Sequence, residues 1–423
     1  MSPDHEVIIS GAGPAGVAAA VALAVREPSL AGRILVLDKA RFPREKPCGG
    51  GLTGHARAAL DALGLAVRVP HVPCAEGRIV YRGSSRDVRL GRPVDIVRRR
   101  EFDADLVAQA RARGLSIVEG EGLAAFSVDA GARMVRVETT AGRRLAARVL
   151  VGADGAGSRV RRALAGERRP PLRLFQAEVP MPRAARGALR VGEGGLCPPE
   201  PVAGGAGPCE GPGRMTYDFS PMDDGLRGYV WLFPVAGDRV NVGAMHYPSR
   251  ALSGAAIERL LRASLARHGV ALPDGARGWP AWRYEARAPI AGPHVLCVGD
   301  AAGIDALTGE GIAVGLEHGP LAAAAVCAAL GSGDFRFAGY ARAVRRAVVG
   351  RELALDGRLA AMLYAPRAFR VWLSLILCDR RMQELYAATV SGSEVLADRK
   401  GALLAALARH MLAAPRRMCE TAA

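Results

Sequence analysis

The chain begins with a glycine pattern that limits the folds available to it. The apolar run EVIIS, residues 6–10, is followed by GAGPAG and the alanine-rich VAAAVALAVRE, which predicts a buried strand, a tight turn and a helix. Gly11, Gly13 and Gly16 fit G-x-G-x-x-G, and Asp38 stands at the end of the next predicted strand, RILVLDKA. Gly11 permits the turn, Gly13 lets a pyrophosphate reach the helix N-terminus, and Gly16 lets helix and strand pack closely. Asp38 would accept hydrogen bonds from a ribose 2′-hydroxyl. The pattern predicts a dinucleotide site.

A second glycine cluster, far downstream, indicates which dinucleotide binds. The segment CVGDAAGIDALTGEGIAVGLEHG, residues 297–319, brings Gly299 and Asp300 to a strand end and Gly309 and Gly311 to the start of another helix. NAD needs no second binding segment of this kind, whereas a longer ligand could place ribitol hydroxyls at Asp300. The positive end of a helix beginning near Gly311 would stabilise the anionic form of a reduced flavin. We therefore predict FAD.

The chain changes character near Pro170. The segments RMTYDFS, GYVWLFPV and RVNVGAMHY predict an antiparallel sheet, and the Gly/Pro-rich residues 192–213 are expected to form a mobile surface loop. Helical segments fill most of the chain after Gly311. The predicted fold class is α/β: a Rossmann-type FAD-binding domain with an inserted antiparallel β-sheet substrate domain and a helical C-terminal region. The predicted boundaries are 1–75, 96–168 and 291–345 for the FAD-binding domain, 76–95 and 169–290 for the substrate domain, and 346–423 for the helical region.

Three motifs resemble the FAD fingerprints of the para-hydroxybenzoate-hydroxylase-like flavoproteins. They are the N-terminal glycine motif, GADG at Gly152–Gly155 and GDAAG at Gly299–Gly303. Within that superfamily, FPREKPCGGGL at residues 42–52, TGEGI at 308–312 and YVWLFP at 229–234 resemble the geranylgeranyl reductase family. The resemblance spans most of the chain and implies the two-domain fold predicted above.

The resemblance also implies roles for individual residues. The Cys-Gly-x-Gly segment would lie against the isoalloxazine ring, Asp154 would lie near the flavin and the path of the reductant, and Asp300 would contact the ribitol. The predicted cofactor-binding residues are Gly11, Gly13, Ala15, Gly16, Asp38, Lys39, Cys48, Gly49, Gly51, Arg99, Asp154, Gly299, Asp300, Gly309, Gly311 and Ile312. The implied substrate cavity is lined by Tyr229, Trp231, Phe233 and Pro234. The family commonly has a proline where this chain has Ala306, so the adjoining loop is expected to differ in shape.

The leading prediction for the reaction is reduction of carbon–carbon double bonds in an apolar substrate, of prenyl or polyene type. Hydride would come from reduced FAD and the proton from water or a side chain. Cys48 and Tyr229 are candidate donors, and with Trp231 they are the candidate catalytic residues. The chain has one visible dinucleotide fold, so NAD(P)H or another electron donor would bind transiently as the reductant.

Three other functions are weighed against the same sequence motifs. FAD-dependent monooxygenation of a small molecule or a protein side chain uses every cofactor motif and stays open. Halogenation is disfavoured because it needs a lysine that reaches the hypohalous acid, and the only lysines are Lys39, Lys46 and Lys400, the first two of which belong to the FAD region. The third alternative is a protein that only binds partners and carries no flavin, and such a protein would be colourless when purified.

Composition bears on partners and location. The net charge of +16 comes almost entirely from arginines spread along the chain, without the aromatic and basic ladder that single-stranded nucleic acid requires. Eight cysteines at irregular spacing predict no metal site and a reducing cytoplasm, with Cys197 and Cys209 as ordinary loop thiols. We identify no signal peptide or transmembrane run, and VWLSLILC, residues 371–378, predicts a buried helix. The expected protein is cytoplasmic, acts on an apolar small molecule or lipid and binds no nucleic acid. Peripheral contact with a membrane stays open.

Overall fold

A computed structural model of the chain describes residues 3–166, 171–189, 213–248, 252–274, 276–366 and 368–417. Its strands are β1 (His5–Ser10), β2 (Ile34–Asp38), β3 (Gly51–Leu52), β4 (His71–Tyr81), β5 (Ser84–Val97), β6 (Ser116–Glu119), β7 (Leu123–Asp129), β8 (Met134–Thr139), β9 (Arg144–Gly152), β10 (Leu172–Pro180), β11 (Gly213–Asp218), β12 (Gly228–Val235), β13 (Arg239–His246), β14 (Arg277–Ala281), β15 (Ala291–Gly292) and β16 (Val295–Cys297). The loop predicted at residues 192–213, apart from Gly213, and the thiols Cys197 and Cys209 lie outside the described residues.

The helices surround two sheets. In chain order they are α1 (Pro14–Arg26), α2 (Gly54–Ala62), α3 (Arg99–Arg111), α4 (Arg159–Ala165), α5 (Arg183–Leu189), α6 (Gly254–Arg267), α7 (Ile312–Ser332), α8 (Tyr340–Arg346), α9 (Val348–Leu363), α10 (Phe369–Cys378), α11 (Arg380–Val390) and α12 (Lys400–Arg417). The segment VWLSLILC lies in α10, where Trp372, Leu373 and Leu375 are buried.

The first sheet has the order β15-β16-β9-β1-β2-β6, and β8, which pairs with β7, joins it through β9. Strand β1 pairs in parallel with both β2 and β9, so the N-terminal βαβ unit predicted from the sequence is present. Val7, Ile8 and Ile9 are fully buried because α1 and its neighbours cover the sheet. The Rossmann-type prediction is confirmed.

The second sheet has the order β14-β10-β13-β12-β11-β4-β5-β3. Its described pairs are antiparallel except that β11 runs parallel to β4, so the prediction of a wholly antiparallel sheet is corrected at this pair. Strands β4 and β11 come from distant parts of the chain, and no hairpin turn forces them to run in opposite directions. The sheet also begins earlier than expected, at β3, and β4 begins at His71 rather than at residue 76.

Strand β12 lies between two apolar layers. All of its residues, Gly228–Val235, are buried. Alternate side chains point to opposite faces of a strand, so Tyr229, Trp231 and Phe233 join the cluster formed with α9–α12, while Val230 and Leu232 join the cluster formed with α6. The second sheet therefore presents an aromatic face to the helical C-terminal region.

One described helix, α7, is long and apolar enough to cross a membrane by length and composition alone. Of its most apolar window, 61% is buried inside the protein. It packs along α1, and a Cβ on Gly319 would lie 2.6 Å from the backbone carbon of Ala18, so the two helices meet almost backbone to backbone. Its apolar character is accounted for by the core of the first domain.

Candidate active site

A cavity of about 1080 Å³ lies between the two sheets, at the upper end of the range of roughly 300–1,000 Å³ typical of small-molecule sites. Most of the predicted cofactor residues line it: Gly11, Gly13, Ala15, Asp38, Lys39, Cys48, Gly49, Gly51, Arg99, Asp154, Asp300, Gly309, Gly311 and Ile312. Tyr229, Trp231 and Phe233 line it too. Gly16, Gly299 and Pro234 are absent from the described lining.

Gly16 and Gly299 lie behind the cavity wall. A Cβ on Gly16 would lie 1.8 Å from the carbonyl oxygen of Gly11, and a Cβ on Gly299 would lie 2.6 Å from the Cβ of Ala15. The Gly299 N–H donates to Nδ1 of His318 at 3.0 Å, and burial lowers the pKa of His318 to about 4, so the ring stays neutral and can accept. Both glycines bring the turns close enough together to form the wall, and their contact with the cofactor stays a prediction.

The N-terminus of α1 opens onto the cavity. Gly13 caps the helix and Pro14 occupies its first turn, where a missing N–H costs nothing. Arg44 lies beside this N-terminus, with its NH2 atom 3.4 Å from a Cβ placed on Gly13, and Lys46 lies 3.4 Å from Asp300. Free N–H groups and two cations suit a diphosphate. Neither cation was predicted, although both lie in FPREKPCGGGL.

Asp38 ends β2 in a buried position. Its Oδ2 accepts from the Ala12 N–H at 2.8 Å and its Oδ1 from the Ala40 N–H at 2.9 Å. Each carboxylate oxygen keeps a further lone pair. The backbone therefore holds Asp38 rigidly and leaves it able to accept from a ribose hydroxyl, a contact that stays a prediction.

Asp154 carries an unsatisfied oxygen at the cavity. Its Oδ2 accepts from the Arg159 N–H at 2.9 Å, while its Oδ1 is buried and has no hydrogen-bond partner among the described residues. Burial raises the pKa of this carboxyl. An unpartnered buried acceptor costs about 1–3 kcal/mol, and a polar ligand would remove that cost. The glycine cradle, the cations and this oxygen together fit FAD.

Arg99 begins α3 and is largely buried. Its guanidinium pairs bidentately with Asp103 at 2.7 and 2.8 Å. Burial alone would lower the pKa of Arg99, but the charges of Asp103 and Cys48 raise it above its ordinary value. Three of its five N–H groups stay outside this pair and are oriented by it. One of these N–H groups reaches the Cys48 thiol, and the contact of Arg99 with FAD stays a prediction.

The segment Cys48–Gly51, here called the glycine elbow, is held between β5 and the aromatic strand β12. Gly50 has a φ of +78°, accepts from the Val97 N–H at 3.0 Å, and would place a Cβ 2.1 Å from the Val97 oxygen. A Cβ on Gly49 would lie 2.9 Å from Cε2 of Phe233. The run of glycines was predicted to admit a flat ring, but the protein's own packing already requires two of them.

Asn241 joins the elbow to the aromatic strand. Its Nδ2 donates to the Cys48 carbonyl at 2.7 Å, and its Oδ1 accepts from Nε1 of Trp231 at 3.0 Å. The indole N–H of Trp231 is thus engaged inside the wall, which leaves its ring face as the part that lines the cavity. Sequence reasoning missed Asn241, for which the signal was a single amide within the apolar strand RVNVGAMH.

The aromatic strand forms one wall of the cavity. Tyr217 from β11 lies 5.4 Å from Tyr229 and 5.2 Å from Phe233 between ring centroids. The Tyr229 hydroxyl donates to the Thr308 carbonyl, and burial raises the pKa of Tyr229 far above its usual range. The assignment of Pro234 to this wall is corrected, because strand alternation turns it away from the side shared by Tyr229 and Phe233.

The far end of the cavity is built by the C-terminal helices, which sequence reasoning described only as helical. Its apolar lining from α9–α12 consists of Leu359, Leu363, Trp372, Ile376, Met382, Leu385, Tyr386, Val390 and Leu403. The apolar run in α10 was the available signal, but nothing in it showed that Trp372 and Ile376 face a cavity rather than a solid core.

A group of titratable side chains lies where the cavity meets α2, α7 and α9. His55 lies with Nδ1 3.6 Å from Glu317 and Nε2 3.8 Å from Glu352, and the Thr53 hydroxyl donates to Glu310 at 2.5 Å. Among the described residues no group of three or more His, Cys, Asp or Glu side chains is arranged to hold a metal ion. Sequence reasoning noted TGEGI for its glycines and overlooked the glutamate between them.

Comparison with known proteins agrees with this geometry. Residues 4–334 match the family described as the FAD binding domain. A menaquinone reductase of Mycobacterium tuberculosis is 32% identical over 337 residues, 75% of each chain. A digeranylgeranylglycerophospholipid reductase of Methanopyrus kandleri is 27% identical over 344 residues, 78% of this chain and 79% of the relative.

Solved structures share the fold. A geranylgeranyl bacteriochlorophyll reductase-like protein of Thermoplasma acidophilum superimposes with a TM-score of 0.72 at 18% identity, covering 94% of this chain and 98% of the other. A probable FAD-dependent monooxygenase of Pseudomonas aeruginosa gives a TM-score of 0.61 at 19% identity, covering 86% and 98%. At these identities the likeness concerns the fold, which reductases and oxygenases share.

Proposed function

The chain belongs to the FAD-binding-domain family and is an FAD-dependent oxidoreductase, and from this premise we propose that it saturates a carbon–carbon double bond in the prenyl chain of an isoprenoid lipid or quinone. The proposal goes beyond the family in naming the bond and the substrate class. The electron donor, NAD(P)H or another reductant, remains part of the proposal.

The cavity is the observation that carries the proposal. Its lining includes the α1 N-terminus, Asp38, Asp154 and Asp300, and the C-terminal helices contribute mainly apolar side chains together with Glu352 and Asp356 of α9. The aromatic wall of β12 contacts both groups, because it shares an apolar cluster with α9–α12 and its Phe233 lies beside Gly49 of the glycine elbow. A molecule that reaches from the flavin end to the helices must therefore be long and apolar at the point where it reacts, as a prenyl chain is.

The relatives support the same substrate class. Menaquinone and digeranylgeranylglycerophospholipid, the substrates named for two relatives, have different head groups and share a prenyl chain. The part common to both is the part that an apolar cavity can accommodate. We therefore propose that the substrate of this protein carries a prenyl chain, and we assign it neither head group.

The residues of the chain would prepare the reaction in three ways. The α1 N-terminus with Arg44 and Lys46 would hold the FAD diphosphate, and Asp300 would orient the ribitol. When bound, FAD supplies hydride in its reduced form. The rings of Trp231 and Phe233, against which the glycine elbow packs, would exclude water from the reacting carbon atoms.

The decisive experiment is anaerobic reoxidation of photoreduced holoenzyme. We expect a prenyl acceptor to restore the oxidised flavin spectrum without oxygen, with a product heavier by two hydrogen atoms. Reoxidation by oxygen alone, with an oxygen atom incorporated into the product, would instead establish a monooxygenase.

A matched pair of variants tests the apolar end. Leu363 lines the cavity and the adjacent Met362 is 45% exposed. Leu363→Gln should raise the KM for the prenyl acceptor about 5- to 150-fold, because an amide left without a partner in the apolar lining costs about 1–3 kcal/mol. Met362→Gln should leave the KM unchanged. Equal effects of the two substitutions would count against the assigned chain path.

A further inference from the structure

Glu310 occupies a position that the proposed reaction has not yet used. It lies between Gly309 and Gly311, lines the cavity, and accepts from the Thr53 hydroxyl at 2.5 Å. Thr53 follows the glycine elbow and caps α2. The bond therefore joins the segment that follows the elbow to TGEGI, and both the elbow and TGEGI contain residues predicted to bind the cofactor.

The surroundings of Glu310 keep a proton on it near neutral pH. Burial is the main reason why its pKa is raised to about 7, and the nearby Asp305 charge adds to the rise, while the Thr53 hydrogen bond opposes it. The charged His55 acts in the opposite direction and lowers it. The titratable groups that face Glu310 from the packed elements are His55, Asp305, Glu317, Asp356, Tyr229 and Tyr386.

His55 can replenish that proton. Its imidazole lies between Glu317 on α7 and Glu352 on α9, at 3.6 and 3.8 Å. The contact with Glu317, partly offset by burial, raises the pKa of His55 to about 9, so the ring carries a proton at neutral pH. Its Nε2 is buried and has no hydrogen-bond partner among the described residues. A protonated imidazole therefore stands within the same acidic group as Glu310.

The other candidate donors are less suited to the task. The Tyr229 hydroxyl is committed to the Thr308 carbonyl, and its raised pKa makes it a weak acid. The Cys48 Sγ accepts from the Gly50 N–H at 3.4 Å, within the elbow itself. Asp305 accepts from the backbone N–H groups of Leu307 and Thr308, which hold its carboxylate in the loop.

We propose that Glu310 donates the proton in the reduction and that His55 restores it, an inference that rests on the proposed function. One double bond loses its π pair, one of its carbon atoms gains a hydride from the reduced flavin, and the other gains the Glu310 proton. The flavin is thereby oxidised by two electrons, and Glu310 is left as a carboxylate until it takes a proton from the His55 imidazolium, which in turn takes one from solvent. The NAD(P)H-type reductant of the proposed function supplies the next two electrons.

The test uses FAD-loaded wild type and Glu310→Gln. In anaerobic single turnovers with a prenyl acceptor, the wild-type rate should fall as pH rises through about 7, because the donor must be protonated. The variant should keep its flavin, lose about 10²–10⁴-fold in rate, as loss of a general acid does, and show no inflection at that pH. Infrared titration of the oxidised holoenzyme supplies a readout independent of activity: a carboxyl band that ionises near pH 7 should be missing from Glu310→Gln.

His55→Gln tests the restoring role, because it should slow repeated turnover more than the first turnover, whereas a purely structural role would slow both alike. Removing the imidazolium should move the Glu310 ionisation to higher pH, in the infrared titration and in the rate profile alike, since the His55 charge lowers that pKa. A wild type that reduces prenyl acceptors while Glu310→Gln reacts at full speed would overturn the inference alone. Absence of the infrared band would also overturn it. A wild type that reduces no prenyl acceptor would overturn the proposed function together with the inference.

Discussion

At the scale of single residues, Asp300 is a carboxylate whose surroundings leave it available to a ligand. It lies half-buried at the cavity, in the turn Gly299–Ala301 that follows β16. Its Oδ2 lies 3.4 Å from Lys46, which comes from the first third of the chain. No backbone N–H among the described residues is recorded as a donor to it, in contrast to Asp38. Its carboxylate therefore remains available to ligand hydroxyls, as the resemblance implied.

Asp300→Ala should abolish retention of FAD while leaving the fold intact, because the substitution would remove the predicted ribitol contacts and no core contact. The ratio of flavin to protein absorbance after gel filtration measures retention, and circular dichroism measures the fold. Asp334→Ala is the matched control, since Asp334 pairs only with Arg336 at an exposed site. Full FAD occupancy in Asp300→Ala would show that the ribitol lies elsewhere.

At the scale of elements, the C-terminal helices are positioned by close contacts with the first domain. The end of α11 meets the start of α2, where a Cβ on Gly54 would lie 2.0 Å from the Ser391 carbonyl oxygen. Gly392, with a φ of +69°, completes the contact from the other side. This junction places the apolar lining of α11 over the cavity. It also fixes the start of α2, which Thr53 caps and which carries His55.

Gly54→Ala should destabilise the protein by about 1–3 kcal/mol, since the new methyl group collides with backbone that cannot yield cheaply. The matched control is Gly357→Ala in α9, where a Cβ meets no atom within 4 Å. Alanine has the higher helix propensity, so the control should be stabilised by about 0.5–1 kcal/mol. Urea unfolding followed by circular dichroism measures both, and destabilisation of equal size in the two variants would contradict the proposed junction.

At the scale of the molecule, a net charge of +16 and an apolar cavity end predict contact with anionic membranes. Leu403 lines the cavity, whereas the next residue on α12, Leu404, is 65% exposed. The outer side of α12 is thus apolar next to the site where a lipid chain would be accommodated. Peripheral contact through this helix stays a prediction.

Holoprotein should co-sediment with vesicles that contain anionic lipid, and less so at high salt because charge attraction is screened. Leu404→Asp should weaken binding about 10- to 150-fold, from the loss of about 1.5–3 kcal/mol of apolar burial. Val25→Asp is matched to it, since Val25 is equally exposed at 65% but lies on α1 of the FAD-binding domain. If both substitutions weakened binding to the same extent, contact through α12 would be wrong.

Local sequence determined the cofactor end of this protein. The spacing of Gly11, Gly13 and Gly16 and the later GDAAG can be read directly, because a turn, a helix start and a close approach depend on residues near one another in the chain. The fold class and FAD followed from them. Even here the sequence could not separate the glycines that face a ligand from those, such as Gly299, that only permit packing.

The tertiary structure alone decided what surrounds the substrate. Asn241 meets Cys48 across 193 positions and Thr53 meets Glu310 across 257, separations at which no local pattern specifies contact. The packing of helices on the sheet decides which side of β12 faces the cavity. It also decides that α9–α12 contribute the apolar lining. Packing also decided the protonation of Glu310, because an acid's pKa is set by the burial and the charges around it and not by its neighbours in sequence.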